Sequence, residues 1–316
     1  MKNFYKNQKS FDILSPRKLF SQINNLREIK YWSKVLNRPN GWHYDLDIIW
    51  ILNKLIEYDI KPGGWILDAG AGQGLLQFIL ASRGYNVISY DYSDRDVLFR
   101  AKSIFQITNE KKEIEFKHKY MANIKYAPKN SNINSIFSYI KRCGLKVFLK
   151  NGFDWLVNFL IFCYEFISKR NKNYGSIVMR RGSFQDLSKF NFKVDAIVSL
   201  SAIEHCDKEQ IKECLEQMFR KVSKGPMLIT TSINSLTEDS YENYFCSWTF
   251  GKNSLLELFN VSVQEKEIDS VQTEIQKNNL FWNRLDSYYF QRKDSYFYKN
   301  KNVPYVPIGI DYFNKY

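Results

Sequence analysis

With 316 residues, 44% of them apolar and 16% aromatic, the chain can bury a full core and is not a disordered polymer. Its five cysteines (Cys143, Cys163, Cys206, Cys214 and Cys246) are odd in number and lack C-x-x-C spacing, which argues against a disulfide framework or a zinc site. The net charge of +13 suits an anionic partner, yet no apolar run reaches the roughly twenty residues that span a bilayer. The basic N-terminus MKNFYKNQKSFDIL lacks a signal peptide's apolar core, so a cytoplasmic protein with reduced thiols is expected.

In chain order, residues 1–40 read as an N-terminal extension, polar and basic, broken by Pro16 and Pro39, with a short amphipathic helix over 26–36. A domain over 41–316 follows. Trp42, His43 and Tyr44 precede a helix over 46–58 whose apolar residues do not form a clean stripe, which predicts burial on most sides. The next stretch, WILDAGAGQGLLQFILASRGYNVISYD (65–91), organises the rest. Trp65 to Leu67 read as a buried strand, closed by Asp68, Ala69 and Gly70. Gly70, Gly72 and Gly74 make a turn in which backbone can approach a ligand. A helix runs from Leu75 to about Arg83, Gly84 ends it, and Asn86 to Tyr90 form a second strand ending on Asp91.

The glycine spacing selects the ligand. A dinucleotide turn is G-x-G-x-x-G, but here Leu75 stands where its third glycine belongs. Asp68 also sets a negative charge beside any diphosphate and suits an ammonium or sulfonium better. Asp91 falls about twenty residues after the turn, where a carboxylate accepts ribose hydroxyls. With its flanking strands, LDAGAGQG followed by Asp91 resembles motif I and the next acidic position of class I S-adenosylmethionine-dependent methyltransferases. The resemblance implies S-adenosylmethionine as cofactor, with Asp68, Ala69, Gly70, Gly72, Gly74, Asp91 and Tyr92 holding it. It also implies an α/β fold, a Rossmann-like, mostly parallel seven-stranded sheet with helices on both faces.

After Asp91, Ser93 and Asp94 cap a helix through about Phe105. The next convincing strand is 176–180, so residues 107–175 read as a helical insertion between the second and third strands. Between 107 and 182 there are fifteen Lys/Arg against five Asp/Glu. GFDWLVNFLIFCYEFISKR is a strongly apolar helix in this insertion, with Lys141, Arg142, Lys146 and Lys150 before it and Lys169, Arg170 and Lys172 in or after it. It reads first as a lid packed over the substrate pocket. Peripheral membrane contact through 141–172 comes second, and a basic nucleic-acid clamp third.

The chain then alternates again: a strand over 194–200, a helix over 207–222, a strand over 227–231 and a helix from about Lys252. Segments 260–267 and 287–292 are expected to supply the antiparallel pair that closes the family's sheet, and PYVPIGIDYF stays unplaced. GSFQDL resembles the family's adenine loop, implying that Asp186 accepts the exocyclic amine and Leu187 lines the ring. Ser199 ends the fourth strand and Glu204-His205 follows it, similar to the Glu-His pair of small-molecule methyltransferases. His205, Glu204, His43 and Tyr44 are the candidate catalytic groups. The pair also resembles the metal-binding Glu-x-x-Glu-His of small-RNA enzymes, but Ser201 replaces the first acid and His118 has no evident place near it, so no metal is expected.

Absent motifs narrow the acceptor. No Pro-Cys pair exists, and SLSAIEH follows the fourth strand instead of Asn/Asp-Pro-Pro-Tyr, so DNA is not an expected partner. The expected reaction is methyl transfer to an oxygen or nitrogen of a small-molecule, sugar or lipid-linked acceptor. An RNA methyltransferase, or a non-catalytic module binding nucleic acid or membrane through the basic insertion, is the alternative.

Overall fold

Short apolar runs punctuated by Gly, Pro and Asn give this chain its strands, and the partners of those runs set the architecture. The computed structural model describes residues 5–17, 21–110, 145–187, 190–191, 193–242, 246–285 and 302–315. In chain order the strands are β1 (Gln8–Ile13), β2 (Trp65–Ala69), β3 (Asn86–Asp91), β4 (Ile107–Glu110), β5 (Ile177–Arg181), β6 (Ala196–Leu200), β7 (Gly225–Ile233), β8 (Ser240–Glu242), β9 (Ser247–Thr249) and β10 (Val306–Asn314). The helices are α1 (Ile23–Val35), α2 (Tyr44–Glu57), α3 (Leu76–Ser82), α4 (Phe99–Ile104), α5 (Leu145–Ser168), α6 (Ile211–Arg220), α7 (Lys252–Phe259), α8 (Glu265–Lys277) and α9 (Asn279–Leu285).

Eight strands form one sheet in the order β1-β10-β7-β6-β2-β3-β5-β4, while β8 and β9 make a separate ribbon. From β7 to β4 all neighbours are parallel; β10 runs antiparallel to β7, and β1 antiparallel to β10. This is a Rossmann-like α/β sheet flanked by helices. Chain order reverses at β2, which has β3 on one side and β6 on the other, so a crevice is expected at the carboxyl ends of these three strands.

Two edges differ from the sequence expectation. The sheet has eight strands, not seven. Residues 260–264 form no strand and 265–277 are helix α8, so the first segment of the expected closing pair is not a strand; the second, 287–292, lies outside the described residues. β10, from the unplaced PYVPIGIDYF, and β1, from the stretch read as an extension, close the sheet instead. Pro307 and Gly309 hid β10, because both residues usually mark edges and bulges. Gly309 is needed: a Cβ there would lie 2.3 Å from the Trp50 indole of α2. β1 is stitched on by buried Asp311, which accepts the amide (2.5 Å) and hydroxyl (2.7 Å) of Ser10, the Tyr58 hydroxyl, and a Lys54 ammonium at 3.3 Å. β4, the first four residues of the stretch read as an insertion, adds the other edge.

α2 is buried on most sides, as its patterning predicts: Leu46, Ile48, Ile49, Ile51, Leu52 and Leu55 are all in the core. Its packing on β10, β6 and β7 sets its N-terminus near the carboxyl end of β6. On the other flank, α5 lies against α1 and α4. The apolar insertion helix therefore packs on neighbouring helices, and among the described residues only one of its faces is covered.

Candidate functional site

β2 is a central strand, and its last residues Asp68 and Ala69 are buried. The chain must leave the sheet at once, which Gly70 and Gly72 allow with φ of +75° and +50°. The turn is fixed from β3: Tyr90 O accepts the amides of Gly70 (2.8 Å) and Ala71 (3.2 Å). Asp91 Oδ2 accepts Gly72 N–H at 2.7 Å, while its Oδ1 accepts the amide (2.8 Å) and hydroxyl (2.5 Å) of Ser93. A side chain on Gly70 would meet Ala202 Cβ at 2.4 Å and the Phe184 ring at 3.0 Å; at Gly72 nothing lies within 4 Å. The turn is packed at its base and open at its tip.

Two side chains brace this turn from below. Buried Arg95 donates to Gly72 O (3.0 Å), Ser89 Oγ (2.6 Å), Ser89 O (2.8 Å) and Arg180 O (3.3 Å). Buried Gln77 donates to Gly74 O (3.1 Å) and accepts from Ser89 Oγ (2.6 Å). Burial pushes the Asp68 carboxyl up to about 7, with nearby Arg95 opposing the rise and Asp91 adding to it. A cleft opens beside Gly72, lined among others by Arg38, Gln73, Arg95 and Asp96. Arg38 holds Gln73 there at 2.8 Å.

The adenine-loop candidates separate. Asp186 is exposed and Leu187 is buried, its amide donating to Gln217 Oε1 at 3.0 Å. Phe184, not Leu187, rests on the glycine turn. Tyr92 is half-buried, and its carbonyl accepts from Arg181. At the end of β6, the hydroxyls of Ser199 and Ser201 are buried and find no partner among the described residues. Ser201 also has φ +45°, a left-handed conformation that costs a non-glycine residue about 1–2 kcal/mol. Strain and orphaned polar groups cluster here at the sheet's carboxyl edge.

The catalytic candidates also divide. Glu204 is buried, and burial raises its pKa; charge from His205, the Thr231 hydroxyl at 3.0 Å and the charge of His43 oppose that rise. His205 is exposed, its Nδ1 2.9 Å from Cys246 O. His43 is buried within electrostatic reach of Glu204, and its Nδ1 is 2.5 Å from Asp47 Oδ2. Asp47 sits at i+4 on α2, so the two side chains share a face, and its Oδ1 has no partner among the described residues. The rings of Trp42 (4.8 Å), Tyr44 (4.8 Å) and Tyr305 (5.5 Å) surround the imidazole at steep angles. The base of this aromatic cluster is clamped: Asp45 accepts from Lys30 (2.8 Å), Arg284 (2.8 Å) and Asn40 (2.9 Å), and Arg284 also donates to Trp42 O.

The fold thus joins Asp68, Ala69, Gly70, Gly72, Gly74 and Asp91 in one turn, and brings His43, Tyr44 and Glu204 to the adjoining edge. His205 is exposed with its Nδ1 toward Cys246 O, and His118 lies outside the described residues. Sequence reasoning missed Asp47, Arg95, Thr231 and Tyr305. Only Asp47 carried a readable sign, its i+4 spacing from His43 on a buried helix.

No protein-family model matches the chain, and no curated protein matches it by sequence. Among solved structures it is similar to coclaurine N-methyltransferase bound to N-methylheliamine and SAH, at 11% identity over 99% of this chain and 91% of that one, with a TM-score of 0.42. It is also similar to TehB from Haemophilus influenzae (18% identity, 68% and 49% covered, TM-score 0.34). A third likeness is to a structure described as Zn-dependent alcohol dehydrogenases from Rhodobacter sphaeroides (10%, 66% and 55%, TM-score 0.31). The chain spans about half the length of the latter two. These likenesses carry no argument about activity; the fold assignment rests on the strand order.

Proposed function

We propose that the chain is a methyltransferase using S-adenosylmethionine, acting on an oxygen or nitrogen of a small-molecule, sugar or lipid-linked acceptor. The observation that carries this reading is buried Asp91 at the end of β3, bound to the Gly72 amide across a turn open at its tip. The residues present fit the cofactor. A carboxylate has about four acceptor sites, and three are occupied here, so Asp91 Oδ2 keeps room for a ribose hydroxyl. Asp68, poised near 7, gains charge when a cationic group approaches. The orphaned Ser199 and Ser201 hydroxyls offer polar contacts beside it.

When bound, S-adenosylmethionine supplies a methyl group already activated by its sulfonium. Held by Asp91 and the Gly70–Gly74 turn, it would give that methyl to the acceptor's lone pair and leave as the neutral thioether. The acceptor's proton then has to leave. Asp47, by accepting a hydrogen bond from the Nδ1–H of His43, leaves Nε2 with a lone pair to receive it, and stabilises the imidazolium that forms. Glu204 and the aromatic rings around His43 orient the acceptor. Orientation carries much of the rate, since the methyl needs no further activation.

Calorimetric titration tests the cofactor reading. S-adenosylmethionine should bind and NAD should not, and Asp91→Ala should weaken the first by at least about tenfold, or roughly 1.4 kcal/mol. Binding of NAD alone, or of neither, sinks the proposal.

A further inference from the structure

A surface helix needs one apolar face, but α5 has two. Its inner face packs through Phe162 and Glu165, both buried; Glu165 accepts from Tyr31 and Tyr174 and from Lys172 at 2.7 Å. On the opposite side Leu149, Phe153, Leu156, Leu160, Tyr164 and Ile167 follow one another at spacings of three and four, so they form a single stripe along the helix. Each is between 47% and 73% exposed. Phe99, at the start of α4, is 78% exposed. Apolar surface on this scale, uncovered among the described residues, marks an interaction site.

Position and charge narrow the occupant. Asn158 contacts Asn37 and Arg100 at the carboxyl edge of the sheet, so residues 145–157 run on beyond that edge for about 20 Å, and 149–156 are exposed on all sides. Over 141–172 the sequence has seven Lys/Arg (Lys141, Arg142, Lys146, Lys150, Lys169, Arg170 and Lys172) against Asp154 and Glu165. Glu165 is buried and answered by Lys172, which leaves Asp154 as the one acid of that segment facing solvent among the described residues. Lys150 stands by one end of the stripe, and Lys169 and Arg170 stand by the other. Pairing two copies would bring like charges together at both ends, whether the helices ran parallel or antiparallel, whereas an anionic surface satisfies both ends at once. No helix among the described residues is long and apolar enough to cross a membrane, so the contact is with a surface.

We propose that the outward stripe of α5 docks on an anionic lipid bilayer, laying the helix in the interface with its basic ends among the headgroups. The carboxyl edge of the sheet then opens alongside the bilayer; taken with the methyl-transfer reading, on which this clause rests, the acceptor is amphipathic or lipid-linked. Docking itself needs neither cofactor nor acceptor, so the two proposals fail separately.

The test is co-sedimentation of the full chain with phosphatidylcholine vesicles, with and without phosphatidylglycerol. Binding should require phosphatidylglycerol and weaken at least tenfold in the double variant Leu156→Glu, Leu160→Glu. Both positions are exposed, so an unchanged melting temperature verifies the fold. A wild-type chain that stays in the supernatant, or a double variant that binds as well as wild type, overturns the proposal. So does a wild-type dimer in light scattering that the same substitutions dissociate, because a second copy would then cover the stripe.

Discussion

On the β3 side of the sheet's carboxyl edge, Asp68, Gly70, Gly72 and Asp91 belong to one strand–turn–helix–strand unit, and backbone amides do most of the binding to Asp91 and Tyr90. On the β6 side, His43 and Asp47 come from α2, Glu204 from the turn after β6, Thr231 from β7, and Tyr305 from the chain just before β10. The first half is a local structure that any neighbourhood of this sheet could carry. The second exists only when distant segments have packed. Substitutions should therefore separate cofactor binding from turnover.

The largest effect is expected at the packed half. His43→Asn removes the proposed proton acceptor and should lower kcat by about 100-fold or more, while cofactor affinity stays within about twofold. A parallel loss of affinity would show that the halves are not separate. Next comes backbone strain within the local half. Gly70→Ala puts a methyl 2.4 Å from Ala202 Cβ at φ +75°, and Gly72→Ala places one in open space at φ +50°. The second should cost about 1–2 kcal/mol in denaturant unfolding and the first clearly more; equal costs would mean that the base of the turn is not packed as described.

Asp68 sharpens the comparison by pH. Its folded pKa, about 7, lies above the ordinary carboxylate value, so the folded chain holds a proton that the unfolded chain has released. Stability therefore falls as pH rises from about 4 to about 7 and levels off above. Asp68→Asn should abolish this slope, so that its melting temperature relative to wild type increases between pH 5 and 8. Affinity for the cationic cofactor should rise severalfold over pH 6 to 8 in wild type and stay flat in the variant. The smallest effect is expected at His205, exposed and turned toward Cys246 O: His205→Ala should change kcat by less than about twofold. A large loss there would move the proton acceptor from His43 to His205.

The same contrast explains what the sequence disclosed. Gly70, Gly72 and Asp91 are legible because residue type alone dictates their backbone and their chemistry. Arg95 and Gln77 are not, since an arginine or glutamine gives no sign of being buried beneath a turn. His43 and His205 both looked like bases; only packing buries one against Asp47 and leaves the other exposed. β10 was hidden by Pro307 and Gly309; the glycine fits a buried strand because Trp50 fills the space over it. β1 was hidden because Gln8–Ile13 is polar and is held by Asp311, at the far end of the chain. The apolar insertion helix was legible as a helix, but periodicity could not tell which of its two faces is uncovered among the described residues.

The most direct measurement is a crystal structure with S-adenosylhomocysteine. The account predicts ribose hydroxyls on Asp91, the chain of the ligand crossing the turn at Gly72, and its sulfur facing the edge between His43 and Glu204. A ligand seated away from the Gly70–Gly74 turn, or a turn that accepts only a diphosphate, would contradict it.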